Sequence, residues 1–287
     1  MKSTYPKIVC WRLTSVCNRK CPFCFRPESN NLDTKSVFKI IDKLAASGVK
    51  GVGITGGEPL SRPDISKIFK HLSDKKIKIC LATNTDYYKK NRNIINKYVS
   101  TIGIPIEASS GQNHDKIRGK GNFKHVIETL NDVYKENKIK MYFSTVLTKY
   151  NINDLENIEN LLLPYKKKII YWKIYELMRY YKANFQSKTE CNGLSKIVKP
   201  KFEKLGKKLG KNKFFYLSSD DRSGASFLIN PDGRAIVPVE SDGKTKDIAL
   251  GNFLTDNIGE IFDKWNHYTD FSKYQCHKCA LKSSCLR

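Results

Sequence analysis

The segment CNRKCPFC, residues 17–24, places three cysteines at CxxxCxxC spacing directly after a short apolar run at residues 7–13. Apolar runs of this length, rich in Val, Ile and aromatic residues, are typical of strands buried in a parallel sheet. Three thiolates in one loop have the ligand number to bind three irons of a 4Fe–4S cluster and to leave the fourth iron open. A zinc site that borrows a distant fourth ligand, His71 or His267, is the alternative at this stage.

Strand-like and helix-like segments alternate after this loop. The predicted strands are residues 7–13, 49–55, 77–83, 101–107, 139–147 and 168–177. The predicted helices, which carry apolar residues at i, i+3 and i+4 spacing, are residues 34–47, 63–74, 122–136 and 153–163. This alternation predicts a parallel α/β architecture, either an open sheet or a partial barrel, with its ligand site beyond the carboxyl ends of the strands.

The pattern changes in the last third of the chain. Residues 199–211 predict a lysine-rich helix, and residues 256–267 predict a short helix before the last cysteines. The turn sequence NPDG, residues 230–233, predicts a hairpin within residues 226–239, because Asp-Gly supplies the positive φ that the turn needs. We therefore predict three regions: a core barrel at residues 1–190, a basic helical connector at 191–225 and a small extension at 226–287.

The composition narrows the class of protein. Of the 287 residues, 40% are hydrophobic, which is enough for a core, and 52 Lys and Arg against 28 Asp and Glu give a formal net charge of +24. No run approaches the roughly 20 apolar residues of a membrane helix, and no secretory signal opens the chain, so we expect a cytoplasmic protein. The charge indicates either a solvated lysine-rich surface or an anionic partner: a phosphate-bearing small molecule, an acidic peptide or RNA.

Nine cysteines in such a chain predict metal binding or chemistry rather than a disulfide framework. Three of them form the cluster at residues 17–24. Three more lie near the carboxyl end of the sequence with CxxCx5C spacing: Cys276, Cys279 and Cys285. Cys10 and Cys80 fall inside predicted strands and are interpreted as small core residues. Cys191 has no assignment.

With these features in place, the sequence resembles the radical SAM superfamily over about residues 7–180. The superfamily signature CxxxCxΦC, where Φ is aromatic, is matched by Cys17, Cys21, Phe23 and Cys24. A second hallmark, GGEP at residues 56–59, follows the second predicted strand, 32 residues after the last cysteine of the signature. The resemblance implies a partial (β/α)6 TIM barrel in which a 4Fe–4S cluster and S-adenosylmethionine (SAM) yield a 5′-deoxyadenosyl radical that abstracts a substrate hydrogen atom.

The same resemblance implies which residues bind SAM. In the family the turn that here consists of Gly56, Gly57, Glu58 and Pro59 binds the methionine amino group. Glycines admit a ligand close to the backbone, and a carboxylate suits an ammonium group. Four further residues match family positions that contact the adenosyl moiety, the ribose or the SAM carboxylate: Asn84, Ser109, Ser110 and Arg118.

The terminal cysteines, with LGNF at residues 250–253 and IGEIF at 258–262, resemble the SPASM or twitch extensions of radical SAM enzymes. The resemblance implies an auxiliary iron–sulfur cluster. The hairpin that usually carries a cysteine there reads AIVP at residues 235–238, so a fourth ligand would come from Cys191 or from the substrate. A zinc knuckle completed by His277 or Cys191, and thiols that bind no metal, are the alternatives.

Three interpretations of the function follow. The first is a SPASM- or twitch-type enzyme that oxidises, epimerises or cross-links a peptide or a small molecule, with a reductant such as flavodoxin or ferredoxin. No leader-binding domain precedes residue 7, so a peptide substrate would need a partner protein or a short docking surface. Four carboxylates are candidates for a catalytic acid or base, and the sequence does not choose among them: Glu107, Glu176, Asp220 and Asp221.

The second interpretation is a nucleotide dehydratase that resembles viperin, on local matches at CPFCF, KYN, WKIY and NPDGR. Lys173, within WKIY, would then meet a nucleoside triphosphate, although that family lacks the terminal cysteines. The third is a non-enzymatic, metal-stapled RNA-binding protein whose basic segment at residues 199–213 contacts phosphates. This third interpretation leaves the succession of CxxxCxxC and GGEP unexplained, so RNA is not expected as a partner. A membrane is not expected as a partner either, because no membrane helix is predicted.

Overall fold

The computed structural model describes residues 5–24, 29–177, 202, 204–210, 212–242 and 244–269. The strands in this part of the chain are β1 Ile8–Thr14, β2 Gly51–Gly56, β3 Lys78–Ala82, β4 Val99–Pro105, β5 Lys140–Val146, β6 Ile169–Tyr175, β7 Phe214–Leu217, β8 Leu228–Ile229, β9 Arg234–Ser241 and β10 Lys244–Asn252. The α-helices are α1 Thr34–Ala46, α2 Ile65–Asp74, α3 Tyr88–Tyr98, α4 Gly111–Arg118, α5 Asn122–Lys135, α6 Leu155–Leu162, α7 Ser219–Arg222 and α8 Ile258–Tyr268.

The ten described strands form a single sheet in the order β10-β9-β8-β1-β2-β3-β4-β5-β6-β7. Strands β1 to β7 run parallel to their neighbours, starting with Ile8 of β1 opposite Gly51 of β2. Strand β8 pairs in parallel with the other edge of β1, whereas β9 and β10 continue from it as antiparallel strands. The carboxyl ends of seven parallel strands therefore lie along one edge of the sheet.

Contacts across the concave face show that the parallel sheet curls into a partial barrel. Ile8 on β1, Cys80 on β3 and Tyr171 on β6 belong to one buried cluster. A flat sheet would hold β1 and β6 about 24 Å apart at the usual strand spacing. The predicted fold class, a partial barrel of parallel strands with helices outside, is confirmed.

Alternation along the strands assigns side chains to two faces. On β1, Val9, Trp11 and Leu13 join the main core between the sheet and the helices, while Cys10 and Arg12 alternate with them. On the concave face the ring of Tyr142 packs over Gly103 of the neighbouring strand, where a Cβ would lie 2.1 Å from the ring carbon Cζ. The main core is thus separate from the barrel interior.

The helices pack their apolar faces against the convex side of the sheet. In α1 the buried residues are Val37, Ile40, Ile41 and Leu44, at the spacing of one helix face. Asp33 caps this helix, since its Oδ1 accepts a hydrogen bond from Ser36 N at 2.7 Å. No helix in the described ranges has the length and apolarity needed to cross a bilayer.

The predicted strands and helices of the barrel are all present, with ends shifted by at most two residues. Helices α3 and α4 were not predicted. Each buries only two side chains, Tyr88 and Ile95 in α3 and His114 and Ile117 in α4, so neither shows a clear apolar period.

The hairpin predicted around residues 230–233 is confirmed as the β8–β9 connection, in which Gly233 has a φ of 83°. The short helix predicted at 256–267 is α8. Part of the predicted helix at 199–211 lies outside the described residues, as do Cys191 and the three terminal cysteines. The division into three regions stays a prediction, and the described structure adds that β8 to β10 extend the barrel sheet itself.

Candidate active site at the carboxyl edge of the barrel

The cysteine loop, residues 15–24, leaves β1 at the carboxyl edge of the parallel strands. Cys17 and Cys21 are half-buried, and Cys24 is exposed after a turn in which its N–H donates to Cys21 O at 3.0 Å. Elements on either side contact this loop. Asn84, at the end of β3, donates from Nδ2 to Cys17 Sγ at 3.7 Å.

The donor set fits an iron–sulfur cluster better than a single ion. Across the described ranges, no three His, Cys, Asp or Glu side chains lie close enough to share one metal ion. A 4Fe–4S cluster binds each thiolate to a different iron, so three thiols on one loop suit it. His71, proposed above as a borrowed zinc ligand, instead contacts Asp42 of α1 through Nε2 at 2.9 Å.

The Gly56–Gly57 turn is built into the start of the cysteine loop. Gly57 N donates to Thr14 O at 2.6 Å, and Glu58 N donates to Val16 O at 2.8 Å. A Cβ on Gly57 would lie 2.0 Å from Val16 O, far inside van der Waals contact. A glycine is therefore required for the turn to approach the loop backbone closely enough to make both hydrogen bonds.

The Glu58 side chain ties the end of β2 to the end of β3. Its Oε1 accepts from Leu60 N at 3.0 Å and from Thr83 Oγ1 at 2.8 Å, and its Oε2 accepts from Asn84 N at 2.6 Å. Burial outweighs these bonds and raises the pKa of Glu58 to about 7. None of its surface is exposed, and in the described conformation both carboxylate oxygens accept hydrogen bonds from protein groups.

A bidentate ion pair holds the middle of the cysteine loop. Arg19 donates from Nε and Nη2 to the two carboxylate oxygens of Asp86, at 2.6 and 2.7 Å, and Asn18 Nδ2 donates to Asp86 Oδ2 at 2.5 Å. Burial alone would raise the pKa of Asp86, but the hydrogen bonds and the charge of Arg19 hold it below its ordinary value. Arg19 Nη1 also donates to the carbonyl oxygens of Arg118 and Gly119, at 3.1 and 2.9 Å.

A buried hydrogen-bond chain supports Asp86 from behind. Asn122 donates from Nδ2 to Asp86 Oδ1 at 3.1 Å and to Asn84 O at 2.8 Å, and its Oδ1 lies 3.0 Å from His114 Nε2. His114 Nδ1 accepts from Glu107 N at 3.1 Å. Because Nδ1 is an acceptor, the ring proton lies on Nε2 and donates to Asn122, which fixes a neutral tautomer. Burial lowers the pKa of His114 to about 4.

Arg118 lies beside the thiols and pairs with an acid at the end of β4. Its Nη1 donates to Glu107 Oε1 at 2.8 Å, and its guanidinium carbon lies 5.6 Å from the centroid of the Phe23 ring. Cys21 Sγ is 3.8 Å from Arg118 O. Burial raises the pKa of Glu107 although Arg118 and the N–H of Val146 oppose it. Glu107 is therefore the acid–base candidate that adjoins the cysteine loop.

The two predicted serines stabilise the corner between β4 and α4. Ser109 donates from N and Oγ to the carboxylate of Asp154, at 2.6 and 2.7 Å. Ser110 caps α4, since its Oγ accepts from Asn113 N at 3.4 Å. Of the residues assigned to SAM, the glycine turn, Asn84 and Arg118 thus contact the cysteine loop, whereas Ser109 bonds to Asp154 before α6 and Ser110 to the first turn of α4. SAM contacts for all of them stay predictions.

Sequence reasoning missed the network that positions the loop: Asn18, Arg19, Asp86, His114 and Asn122. Asp86 carried a signal, because it follows a predicted strand at the carboxyl edge. Asn122 was visible as the first residue of a predicted helix, but its partner His114 lies in a helix with no apolar period. Asp221, another acid–base candidate, accepts from Ser218 and holds a turn before α7.

A cysteine loop anchored at the carboxyl edge of a partial parallel barrel defines a barrel protein with an iron–sulfur site. The profile of the Radical SAM superfamily matches residues 11–162, just over half of the chain. The chain belongs to the radical SAM superfamily. Family membership implies a 4Fe–4S cluster together with SAM, and the three thiols of the cysteine loop fit that cluster.

Known relatives agree with this membership. The chain is 26% identical over 160 residues to the AdoMet-dependent heme synthase of Methanosarcina barkeri, covering 52% of this chain and 45% of that protein. It is 24% identical over 160 residues to the mycofactocin maturase MftC of Mycobacterium ulcerans, covering 53% and 43%. The matches thus span less than half the length of these curated relatives.

The structure is also similar to that of Streptococcus suis SuiB bound to its precursor peptide SuiA. The TM-score is 0.70 at 16% sequence identity, over 93% of this chain and 65% of that one. At this identity the similarity establishes a shared fold.

The buried His114 gives the fold a testable pH dependence. An unfolded histidine protonates near pH 6.5, whereas His114 does so only near pH 4. Between about pH 4 and pH 6.5 the histidine is therefore protonated in the unfolded chain and neutral in the folded one. The stabilisation from neutral His114 is present above pH 6.5 and is lost as the pH falls. We expect the difference in free energy of unfolding between wild type and His114→Asn to shrink by about 2 kcal/mol from pH 7 to pH 5.

Urea denaturation of both proteins at closely spaced pH values measures this difference. Glu58 contributes with the opposite sign: because its pKa is raised, its stabilisation of the fold is present at low pH and is lost as the pH rises. This contribution is the same in both proteins, so it cancels in the difference between wild type and variant. His125→Asn, at a partly exposed position of α5, is the matched control. A pH-independent difference for His114→Asn would show that the ring is not held neutral.

Proposed function

We propose that this protein is a radical SAM enzyme that cleaves SAM reductively and uses the product to abstract a hydrogen atom from its substrate. The observation that carries the proposal is the pair of backbone hydrogen bonds joining the Gly56–Gly57 turn to the cysteine loop at the carboxyl edge of the barrel. Cys17, Cys21 and Cys24 would hold the cluster. When bound and reduced, the cluster supplies the electron that splits SAM into methionine and a 5′-deoxyadenosyl radical.

The residues around the loop supply positioning and charge. The Arg19–Asp86 pair and the Asn122–His114 chain fix the loop against β3 and α5, which limits its movement when a cluster and SAM bind. Burial raises the pKa of the Cys21 thiol, and the charges of Arg118 and Arg19 oppose that rise.

The first prediction of this proposal concerns SAM cleavage. Anaerobically reconstituted and chemically reduced wild-type protein is expected to release 5′-deoxyadenosine from SAM, measured by liquid chromatography. The Cys17/Cys21/Cys24→Ala variant is expected to release no 5′-deoxyadenosine and to contain less iron, because it lacks the three thiols that would hold the cluster. Cys10→Ala/Cys80→Ala removes two cysteines elsewhere in the barrel and should retain both iron and activity. Equal release from the loop variant would overturn the assignment.

For the substrate we propose a peptide, with an acidic electron carrier of the flavodoxin or ferredoxin type as reductant. The support is that a curated relative is named a mycofactocin maturase and that SuiB, which shares the fold, was solved with a precursor peptide. A nucleotide substrate is the second candidate, because a relative of 28% identity from Petrotoga mobilis is a GTP 3′,8-cyclase.

One lysine in the barrel interior favours an anionic group on the substrate. Lys173 of β6 alternates onto the same face as Tyr171, and its Nζ lies 4.5 Å from the Tyr171 ring centroid. Its neighbours in register are Ser144 and Phe215. It is 7% exposed, and among the described residues it makes neither a hydrogen bond nor an ion pair. An ammonium group on a largely buried side chain, with no anionic partner among the described residues, favours a site that a carboxylate or phosphate completes.

Lys173→Met separates this role from a structural one. The variant keeps a side chain of similar size and removes only the charge, so we expect no fall in the free energy of unfolding. Substrate-dependent SAM cleavage should fall at least tenfold, because the anion loses its partner. The assay uses ATP, GTP, CTP and UTP as nucleotide probes and short synthetic peptides with or without Glu as peptide probes. Lys124→Met, on the exposed side of α5, is the control.

Stimulation by a nucleoside triphosphate would assign the site to nucleotides, and stimulation by the Glu-containing peptides alone would assign it to an acidic peptide. A variant that loses stability and keeps full stimulation would show that Lys173 is structural.

We further propose that the terminal cysteines bind an auxiliary iron–sulfur cluster, within an extension at residues 226–287 that follows a core at 1–190 and a connector at 191–225. The support is the CxxCx5C spacing of Cys276, Cys279 and Cys285. Reconstituted Cys276→Ala/Cys279→Ala protein is expected to contain about four fewer irons per chain than the wild type. Unchanged iron content would exclude the auxiliary cluster, and zinc released from the wild type alone would indicate a zinc knuckle.

A further inference from the structure

The amino edge of the barrel, opposite the cysteine loop, carries a lysine at nearly every strand. Of the seven parallel strands β1 to β7, all except β4 have a lysine as their first residue or directly before it: Lys7, Lys50, Lys78, Lys140, Lys168 and Lys213. Even before β4, the last turn of α3 contains Lys97. We call the six lysines at the strand starts the lysine arc.

Backbone hydrogen bonds show that the lysine arc is continuous in space. Lys50 N donates to Lys7 O at 2.8 Å, and Lys78 N donates to Lys50 O at 2.9 Å. On the other side of β4, Lys140 lies in register with Thr101, and Lys168 O accepts from Met141 N. At the usual spacing, seven neighbouring strands span about 29 Å along the edge.

The lysines of the arc are arranged in two ways. Lys7, Lys50, Lys78 and Lys140 are exposed. The other two are partly buried and bond through Nζ to backbone carbonyls: Lys168 to Val133 O at 3.1 Å and Lys213 to Lys166 O at 2.8 Å. Desolvation lowers the pKa of Lys213, and the positive charges of Lys166 and Lys140 lower it further. The ammonium groups in this part of the edge are therefore close enough to repel each other.

Aromatic rings accompany the lysines at this edge. The ring centroid of Tyr98, at the end of α3, lies 5.3 Å from Lys97 Nζ. The ring centroid of Tyr134, near the end of α5, lies 5.8 Å from Lys168 Nζ. Tyr165 packs edge-on against Tyr134 at 5.3 Å between ring centroids. All three tyrosines also pack against the main core and stay partly exposed, and Tyr98 directly precedes β4.

Two carboxylates near this edge pair with cations outside the arc. At the end of α2, Asp74 pairs with Lys70 at 2.7 Å, and after α5, Glu136 pairs with Arg92 at 3.2 Å. The charge of Glu136 also acts on Lys168, where it opposes the lowering of the Lys168 pKa by desolvation. No strand in the described part of the chain begins with Asp or Glu.

We propose that the lysine arc is a binding surface for a single-stranded nucleic acid. A row of ammonium groups about 29 Å long can contact several successive phosphates, and the neighbouring tyrosines provide rings for base stacking. Both features together fit a nucleic acid better than an acidic protein, which offers no bases. This departs from the sequence-based expectation that RNA is not a partner.

The geometry separates this surface from the site of proposed SAM chemistry. A strand of seven residues spans about 20 Å, so the arc and the cysteine loop lie at opposite ends of the barrel. Binding at the arc would leave the carboxyl edge open. The proposal is independent of the proposed function, because the two sites share no residue.

The test compares two variants with equal loss of charge. Lys7/Lys50/Lys78/Lys140→Gln removes the four exposed lysines of the arc, and Lys39/Lys67/Lys90/Lys124→Gln removes four exposed lysines from the outer helices. Fluorescence anisotropy measures the affinity of the full-length protein for labelled 20-nucleotide U-rich RNA and T-rich DNA between 50 and 200 mM salt. We expect the arc variant to bind at least tenfold more weakly, with a log–log salt slope reduced by about 3. The helix variant should change little.

Other outcomes overturn the proposal. Equal weakening by both variants would show that net charge alone attracts the nucleic acid, and absence of wild-type binding at 50 mM salt would exclude the surface. Binding of poly-glutamate by the wild type, with no binding of either nucleic acid, would assign the arc to an acidic protein. Circular dichroism and 5′-deoxyadenosine release, measured on both variants, show that their fold and their SAM cleavage are intact.

Discussion

The close approach of Gly57 to the backbone of residues 14–16 is the contact on which the site depends. Without a Cβ, the turn reaches Thr14 O and Val16 O, and two hydrogen bonds connect the end of β2 to the start of the cysteine loop. Glu58 then connects the same turn to β3. The loop is thereby fixed to three successive strands before any cofactor contributes, and the Arg19–Asp86 pair extends this support to α5 through Asn122.

The barrel separates stability from chemistry. The main core lies between the convex face and the helices and includes Trp11, Phe143 and Trp172. The concave face carries smaller or polar groups such as Cys10, Ser144 and Lys173, with Tyr142 over Gly103 closing part of the interior. Such a division allows the interior to vary with the substrate, because the packing that holds the strands together lies on the other face.

The sequence predicted the barrel well because parallel strands and amphipathic helices carry strong local patterns. CxxxCxxC and GGEP indicated the carboxyl edge, and the structure brings these two motifs into direct contact. Local patterns could not reveal that Glu58 is buried among three donors, or that His114 is neutral and connected to Asp86, since both facts depend on contacts between distant segments. The lysine arc was equally invisible, because its members are separated by tens of residues and become neighbours only when the strands align.

The pairing of β8 with β1 has a consequence for the order in which the chain is made. On a ribosome β1 is synthesised about 220 residues before β8 covers its second edge, and synthesis at ordinary rates leaves that edge unpaired for roughly ten seconds or more. An exposed strand edge invites pairing with other chains. Arg12, whose guanidinium later reaches Asn230 and Asp247, places a charge on this strand in the meantime, and chaperone dependence during synthesis would follow from the same topology.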